Sequence, residues 1–323
     1  MNEKTIKSLE QASLVRLVLS LLKIALLWLL AVFVLFFLME LLPGDAATNK
    51  IGKGGAEAVA ALQQKMGLDR PALERFVNWL GNYCTGNPGI SLLTGKQINE
   101  IVKVPLISSL SVTTIVLIGL VFITIPLAVY CGYYKNTLSR LITRTAVILS
   151  SVPEFALTVV AIMLLCMKLK ALPVLSIPGP AKSVWQEPLS LVMPSLCLWT
   201  ISSAAVFRYI KVMVETYAKA SYVREAFLAG LSRRKVLFVH LLPSALPGIA
   251  QIMALTIPYL LGGSMVVETL TSFPGMGYTL IQAVQSRETP IVMAIGSLLI
   301  AVAILFYFLA DLLGRNEREE AIS

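Results

Sequence analysis

The most informative shortage in this chain is charge. Only 14% of its 323 residues are charged, whereas 57% are hydrophobic and the mean hydropathy is +0.79. A soluble globular chain carries roughly a quarter charged residues. So little polar surface excludes a water-soluble body, and it predicts that most of the chain faces lipid or other buried helices.

Groups for catalysis and metal binding are also scarce. His240 is the only histidine, and the four cysteines show no CxxC spacing. Neither a metal site nor a Ser-His-Asp arrangement is therefore expected. The nearest approach to a phosphate-binding loop, residues 89–97, has one residue too many between its glycines and no hydroxyl after its lysine. We expect no enzymatic activity and no cofactor bound by this chain.

Six apolar stretches are long enough to cross a bilayer as helices, which takes roughly 20 residues each. They cover residues 17–41, 107–131, 143–168, 189–210, 247–268 and 290–313. Helices are the only open structure whose backbone groups are all satisfied in lipid. The first stretch is long for a signal peptide and lacks a clean cleavage site, so we expect a retained span. The sequence predicts an all-α membrane protein with six transmembrane helices.

Lysines and arginines predict the orientation, because they concentrate after the second, fourth and sixth spans. The positive-inside rule puts those loops and both termini in the cytoplasm. Lys168, Lys170 and Lys182 are a weaker opposing signal. The net charge of +9 then reflects topology and not nucleic-acid binding. The predicted segments are a cytoplasmic end (1–16), a first helix (17–42), a long extracytoplasmic loop (43–105), a five-helix core (106–313) and a cytoplasmic tail (314–323).

The fourth loop, residues 213–245, is the most informative stretch. Residues 222–229 favour a helix, and Gly230 suits a left-handed position just after its end. Ser232 can then cap a second helix, which we expect to end at Pro243. The pattern predicts a helix-turn-helix at the membrane surface. An ordered loop of this kind indicates a docking partner.

This loop resembles the EAA loop of binding-protein-dependent ABC importer permeases. Tyr222-Val-Arg, Gly230-Leu-Ser and His240-x-Leu-Pro are similar to the dipeptide, oligopeptide and nickel branch of that family. The resemblance implies that the loop couples the chain to an ATPase subunit. The residues placed in this coupling loop are Tyr222, Arg224, Glu225, Ala226, Gly230, Leu231, Ser232 and Pro243.

Segments elsewhere carry the same resemblance, from about residue 16 to residue 311. The matching family positions are Pro43, Gly44 and Asp45 after the first span, and Glu268, Pro274, Gly275 and Gly277 near the fifth. We expect Glu268 to accept hydrogen bonds from backbone amides in the following Pro-Gly turn. In the first loop we expect Asp69 to cap a helix that carries Pro71 in its first turn.

The resemblance implies a permease subunit in a prokaryotic inner membrane. Its implied partners are two ATP-binding subunits that hold ATP and Mg²⁺, a second homologous permease and an extracytoplasmic binding protein. The solute would be a peptide, nickel or a metal chelate. An ion-coupled secondary transporter and a non-transporting scaffold are the alternatives. The chain shows no internal repeat of the kind that many secondary transporters carry.

One carboxylate lies inside the predicted third span. Glu154 follows Pro153 roughly eleven residues from the cytoplasmic end, and an ionisable residue at that depth usually faces a protein interior or a water-filled path. Pro153 would free a backbone carbonyl one turn earlier. Two interpretations stay open, a residue lining the translocation path or a protonated Glu bonded to a neighbouring helix. Glu40, near the outer interface, is expected to be solvated.

Overall fold

The computed structural model describes residues 3–51, 56–179, 183–262 and 264–320. Within these ranges every regular element is a helix, apart from one isolated antiparallel bridge between Ile90 and Gln97. The prediction of an all-α protein is confirmed. Lys182 and the extreme ends of both predicted terminal segments lie outside the described residues.

The helices follow one another along the chain, and their longest connections are residues 85–97 and 169–188. They are α1 (Glu3–Leu41), α2 (Ala46–Ile51), α3 (Ala56–Lys65), α4 (Ala72–Cys84), α5 (Ile98–Gly119), α6 (Ile125–Tyr133), α7 (Thr137–Ser151), α8 (Glu154–Ala161), α9 (Leu189–Tyr217), α10 (Ser221–Leu228), α11 (Arg233–Lys235), α12 (Leu242–Gly262), α13 (Met265–Thr271), α14 (Met276–Gln285) and α15 (Thr289–Glu320). π-Helical turns occupy Leu120–Thr124, Ile162–Lys168 and Val236–Leu241.

Among the described residues, five helical stretches are long and apolar enough to span a membrane. They cover residues 18–41, 98–133, 189–217, 233–271 and 289–314. A sixth exists only if α7 and the stretch Glu154–Lys168 count as one span, and these two are bent by 105°. The predicted third span, residues 143–168, is therefore not one continuous helix. Val152 is extended, with ψ 128°, because the residue before a proline disfavours helical backbone.

The second helix of the loop was predicted to end at Pro243. In the structure the helix continues past that proline. A π-helical turn, Val236–Leu241, precedes that proline, and the Leu242 amide donates to the Leu237 carbonyl. This wider turn accommodates a proline that has no N–H to give. A similar turn precedes Pro126. The helix therefore continues through Pro243 as α12.

The chain divides into two compact units. The first contains residues 1–101 and 282–305, and the second contains residues 102–281 and 306–323. The predicted five-helix core thus contributes residues to both units.

In the first unit, α1 packs against α4 and α15. The buried side chains of this cluster are Val32, Phe36, Phe76 and Met293. The Trp28 indole also donates to the Ser297 carbonyl at 3.0 Å. Most other large apolar side chains between residues 18 and 41 are exposed, as expected for a helix that faces lipid.

In the second unit, α9 is the central helix and packs against α6, α7 and α12. Gly132 permits the close approach of α6, because a Cβ there would lie 2.8 Å from the Lys211 carbonyl oxygen. Trp199 of α9 lies equally close to Gly119, 2.7 Å from where a Cβ would be. The small residues therefore fix how tightly the helices of this unit pack.

Two expectations for the first unit are wrong. Pro71 is the residue before α4, and no side chain caps that helix among the described residues, so Asp69 does not cap it. Glu40 is not simply solvated, since its carboxylate forms an ion pair with Arg75 on α4. Arg75 also donates to the Arg70 carbonyl, which holds its guanidinium in place.

Candidate functional site

The predicted loop forms a rigid turn between α10 and α11. Gly230 has φ +80°, as predicted, and the Leu231 amide donates to the Ala226 carbonyl while the Gly230 amide donates to Phe227. These two bonds are a Schellman motif, which satisfies the last carbonyls of a helix. The Ser232 hydroxyl accepts from the Lys235 amide at 3.4 Å, which confirms the predicted cap of the second helix.

The inner face of the loop holds its own small core. Val223 and Val236 are completely buried, Ala226 is 8% exposed, and Leu231 packs against them. The apolar contact of Leu231 is the one that commonly accompanies a Schellman motif. Ala226 therefore contributes to the small core of the loop.

The outer face of α10 presents apolar side chains to the surroundings. Leu228 is 81% exposed, and Tyr222 and Phe227 are also exposed. Arg224 and Glu225 lie exposed beside them. Exposed apolar residues of this size on one short helix of a basic loop indicate a contact surface.

The loop is tied to the turn between α6 and α7 in the same unit. The Tyr133 hydroxyl donates to the Arg233 carbonyl at 2.9 Å. Asn136 caps α7 by accepting from the Ser139 amide, and the Ser139 hydroxyl donates back to the Cys131 carbonyl. A direct hydrogen bond thus joins the loop to the end of α6, and Ser139 joins α6 to the start of α7.

Glu154 is the first residue of α8, and Pro153 precedes that helix. Pro153 was expected to free a backbone carbonyl within a continuous helix. It instead precedes a new helix at the 105° bend. The Tyr259 hydroxyl of α12 donates to Glu154 Oε2 at 3.1 Å. Glu154 Oε1 is buried and has no hydrogen-bond partner among the described residues. Sequence reasoning missed Tyr259, which lies 105 positions away.

Glu268 is a second carboxylate in a spanning stretch, and it is only 1% exposed. It accepts from the Tyr278 amide at 2.9 Å, which confirms the predicted bond to the following Pro-Gly turn. The hydroxyls of Ser109 and Ser264 also donate to it, each at 2.9 Å. A Cβ at Gly275 would overlap its carboxylate, which explains the glycine after Pro274.

Gly277 is restricted by the same packing. A Cβ there would lie 2.7 Å from Met265 Cγ and 3.0 Å from Glu268 Oε2. Ser109 completes the arrangement, because its hydroxyl also accepts from the Met276 amide at 2.8 Å. The family positions around Glu268 thus form one closed network in the second unit.

In the first unit, Pro43, Gly44 and Asp45 form the turn between α1 and α2. Gly44 has φ +83°, which favours glycine. Asp45 accepts from the amide and hydroxyl of Thr48 and from Gln63. Burial raises the pKa of Asp45, but these hydrogen bonds outweigh burial and hold the pKa below its usual value.

Glu288 holds a loop of the first unit whose attachment sequence reasoning missed. Glu288 is 3% exposed, and its carboxylate accepts from the Ser91 hydroxyl at 2.6 Å. It also accepts from the amides of Leu92 and Leu93 at 2.9 and 2.8 Å. The signal that could have found it was the acidic residue in the Arg287-Glu-Thr-Pro290 run, which the resemblance includes.

The helical spans define an all-α, multi-pass membrane protein. The chain matches the family model described as binding-protein-dependent transport system inner membrane component over residues 124–319, which is more than half of its length. An N-terminal model for the same systems matches residues 12–95. The chain belongs to this family. It is a multi-pass permease subunit of an ABC importer, a component that is not itself an enzyme.

Several curated permeases are similar over most of the chain. The oligopeptide transport system permease protein AppB of Bacillus subtilis is 28% identical, over 86% of this chain and 90% of the relative. The glutathione transport system permease protein GsiC of Escherichia coli is 27% identical, over 80% of this chain and 83% of the relative. A probable peptide ABC transporter permease of Sinorhizobium fredii is 26% identical, over 90% and 93%. The importer family is favoured over the two alternatives, a secondary transporter and a scaffold.

Proposed function

We propose that loop 213–245 couples this permease to an ATP-binding subunit, with α10 as the element that enters the partner. The exposed apolar side chains of α10 carry this proposal, because Leu228 is 81% exposed and Tyr222 and Phe227 are also exposed within the described chain. Burying them on a partner would remove apolar area from water. The Schellman turn and the Ser232 cap make the loop rigid enough to transmit a displacement.

The energy would come from the partners, since ATP and Mg²⁺ would bind to two ATP-binding subunits and not to this chain. When ATP draws those subunits together, they would displace α10. The bond between Tyr133 and the Arg233 carbonyl would carry the displacement to α6 and α7. A ligand or partner shifts such an equilibrium only through contacts that differ between the two states.

The remaining partners follow from the importer class. A second, homologous but non-identical permease would supply the other half of the path, and an extracytoplasmic binding protein would deliver the solute. Both termini would lie in the cytoplasm. Glu154, with Pro153 at the bend, would line the path of this half.

A peptide is the solute that we propose. The supporting observation is that similar permeases carry names of oligopeptide, peptide and glutathione systems. Nickel or a metal chelate is the second candidate, which the resemblance of the loop to the dipeptide, oligopeptide and nickel branch supports.

The coupling proposal is tested by Leu228→Glu in the reconstituted transporter. A charge on α10 should abolish transport-coupled ATP hydrolysis and weaken co-purification of the ATPase subunits, while the permease still inserts. Leu73→Glu is the matched control, because Leu73 is also an exposed leucine on a short helix, 59% exposed, but belongs to the first unit. Full coupling in the Leu228→Glu variant would overturn the proposal.

A further inference from the structure

We propose that Glu154, Tyr259 and the cleft beside Tyr259 form a half-site for an organic ammonium group carried on an apolar body. The proposal rests on the proposed function, which places Glu154 on the translocation path. It goes further by naming the chemistry that the site recognises and by assigning Tyr259 to it.

The carboxylate of Glu154 is only partly satisfied within the chain. Tyr259 donates to Oε2, whereas Oε1 is buried without a hydrogen-bond partner among the described residues. No ion pair involves Glu154 among the described residues, whereas Glu215 of the same unit is paired with Lys211 at 2.9 Å. An under-compensated carboxylate in a membrane-spanning stretch is costly and marks a functional site. A cationic ligand would supply the missing charge.

Glu154 Oε1 is buried, whereas the Oε2 side of the carboxylate lies near the surface of the described chain. The hydrogen bond between Tyr259 and Glu154 lies at an exposed edge, and Tyr259 itself is 37% exposed. The same tyrosine lines a cleft of ≈ 590 Å³ between α9 and α12. That cleft is walled mainly by apolar side chains, which suit the apolar body of a ligand. Its lining includes Ile201, Val206, Ile252, Leu255 and Thr256.

Tyr259 joins the two parts of the half-site. Its hydroxyl holds the Glu154 carboxylate, and its ring lies beside the apolar cleft. An ammonium group is recognised by a charge-assisted hydrogen bond to a carboxylate and by the face of an aromatic ring. The Glu154 carboxylate and Tyr259 are in contact, and Tyr259 also lines the apolar cleft.

The test measures binding of n-butylammonium, with n-butanol as the uncharged probe, to the complete transporter in lipid nanodiscs by calorimetry. The wild type should bind the ammonium more tightly than the alcohol. Glu154→Gln should weaken ammonium binding about 10- to 100-fold, the effect expected for losing a hydrogen bond to a charged group. Tyr259→Phe keeps the ring and should weaken binding less. Glu215→Gln, which alters a carboxylate that is already paired, should leave binding unchanged.

Equal binding by the wild type and Glu154→Gln would overturn the half-site, as would equal affinity of the wild type for ammonium and alcohol. The measurement needs neither ATP nor a binding protein, so its outcome is independent of the Leu228→Glu experiment. If ammonium binding does not depend on Glu154, while Leu228→Glu abolishes coupling as expected, only this inference fails. If ammonium binding depends on Glu154, while Leu228→Glu keeps normal coupling, only the proposed function fails.

Discussion

Glu268 and Glu154 are both carboxylates in apolar, membrane-spanning stretches, yet their surroundings differ in kind. Glu268 accepts from two serine hydroxyls and a backbone amide and is almost completely buried. Glu154 accepts from a single tyrosine hydroxyl at an exposed edge. A carboxylate with a full set of donors stabilises the fold, whereas one with a partial set keeps capacity for a ligand.

The backbone turns beside these two residues also differ. The chain after Glu268 folds back so that Gly275 and Gly277 contact its side chain. The chain turns by 105° just before Glu154, and no backbone amide donates to its carboxylate among the described residues. The local backbone thus supplies a donor to one carboxylate and none to the other.

The largest expected effect is that of Glu268→Ala. It leaves the hydroxyls of Ser109 and Ser264 and the Tyr278 amide without their acceptor in a buried site, which should destabilise the unit by roughly 3–5 kcal/mol. Thermal unfolding of the detergent-purified protein measures the effect. Glu154→Ala is the matched variant and should shift the midpoint much less. Equal shifts for the two variants would remove the contrast between the carboxylates.

Gly275→Ala tests the same contrast from the backbone side. Because its Cβ would overlap the Glu268 carboxylate, we expect a loss of about 1–3 kcal/mol, typical of overpacking. Gly230→Ala is the control, since Gly230 has open space around a Cβ and only its φ of +80° is unfavourable. A variant at Gly275 that unfolds at the wild-type temperature would show that the carboxylate can move aside.

Gly230→Val sharpens the distinction between stability and function. A β-branched side chain at positive φ should cost about 1–2 kcal/mol and alter the turn that orients α10. The variant should insert normally but lose transport-coupled ATP hydrolysis, measured with the reconstituted complex. Wild-type coupling in a fully assembled variant would show that the turn geometry is not needed for docking.

Local features of loop 213–245 could be predicted from sequence because they depend on neighbouring residues. The left-handed Gly230 and the Ser232 cap lie within a few positions of the groups that they bond. The continuation through Pro243 could not be predicted, because it depends on a π-helical turn that composition does not reveal. The bend before Glu154 was also missed, because the apolarity of residues 143–168 predicts a membrane span but not whether the helix within it bends.

Contacts between distant residues account for most of what sequence reasoning missed. Tyr259 meets Glu154 across 105 positions, and Ser109 meets Glu268 across 159. The bond from Glu268 to the following turn was predicted because only ten positions separate its carboxylate from the Tyr278 amide. A single sequence predicts which groups need partners more readily than it predicts distant partners.

Glu154→Gln should change transport and hardly change stability. The amide keeps the shape of the side chain and an oxygen that accepts from Tyr259, so we expect a change of unfolding free energy below about 0.5 kcal/mol. Uptake of the cognate solute by proteoliposomes should fall, while basal ATP hydrolysis stays near the wild-type rate. Uptake at the wild-type rate would exclude a role of the charge in the path.

The smallest effect on stability is expected at Asp45. This residue is a carboxylate outside the spanning stretches, which makes it a useful comparison. Its pKa in the folded protein lies below the usual value near 3.8, so its ionised form stabilises the fold above the unfolded pKa. This contribution should decline as the pH falls through the folded pKa. Asp45→Asn keeps an acceptor for Thr48 but cannot ionise. The difference in unfolding midpoint between wild type and variant should therefore shrink between pH 5 and about pH 3. A difference that stays constant over this range would show that the charge of Asp45 adds nothing to its hydrogen bonds.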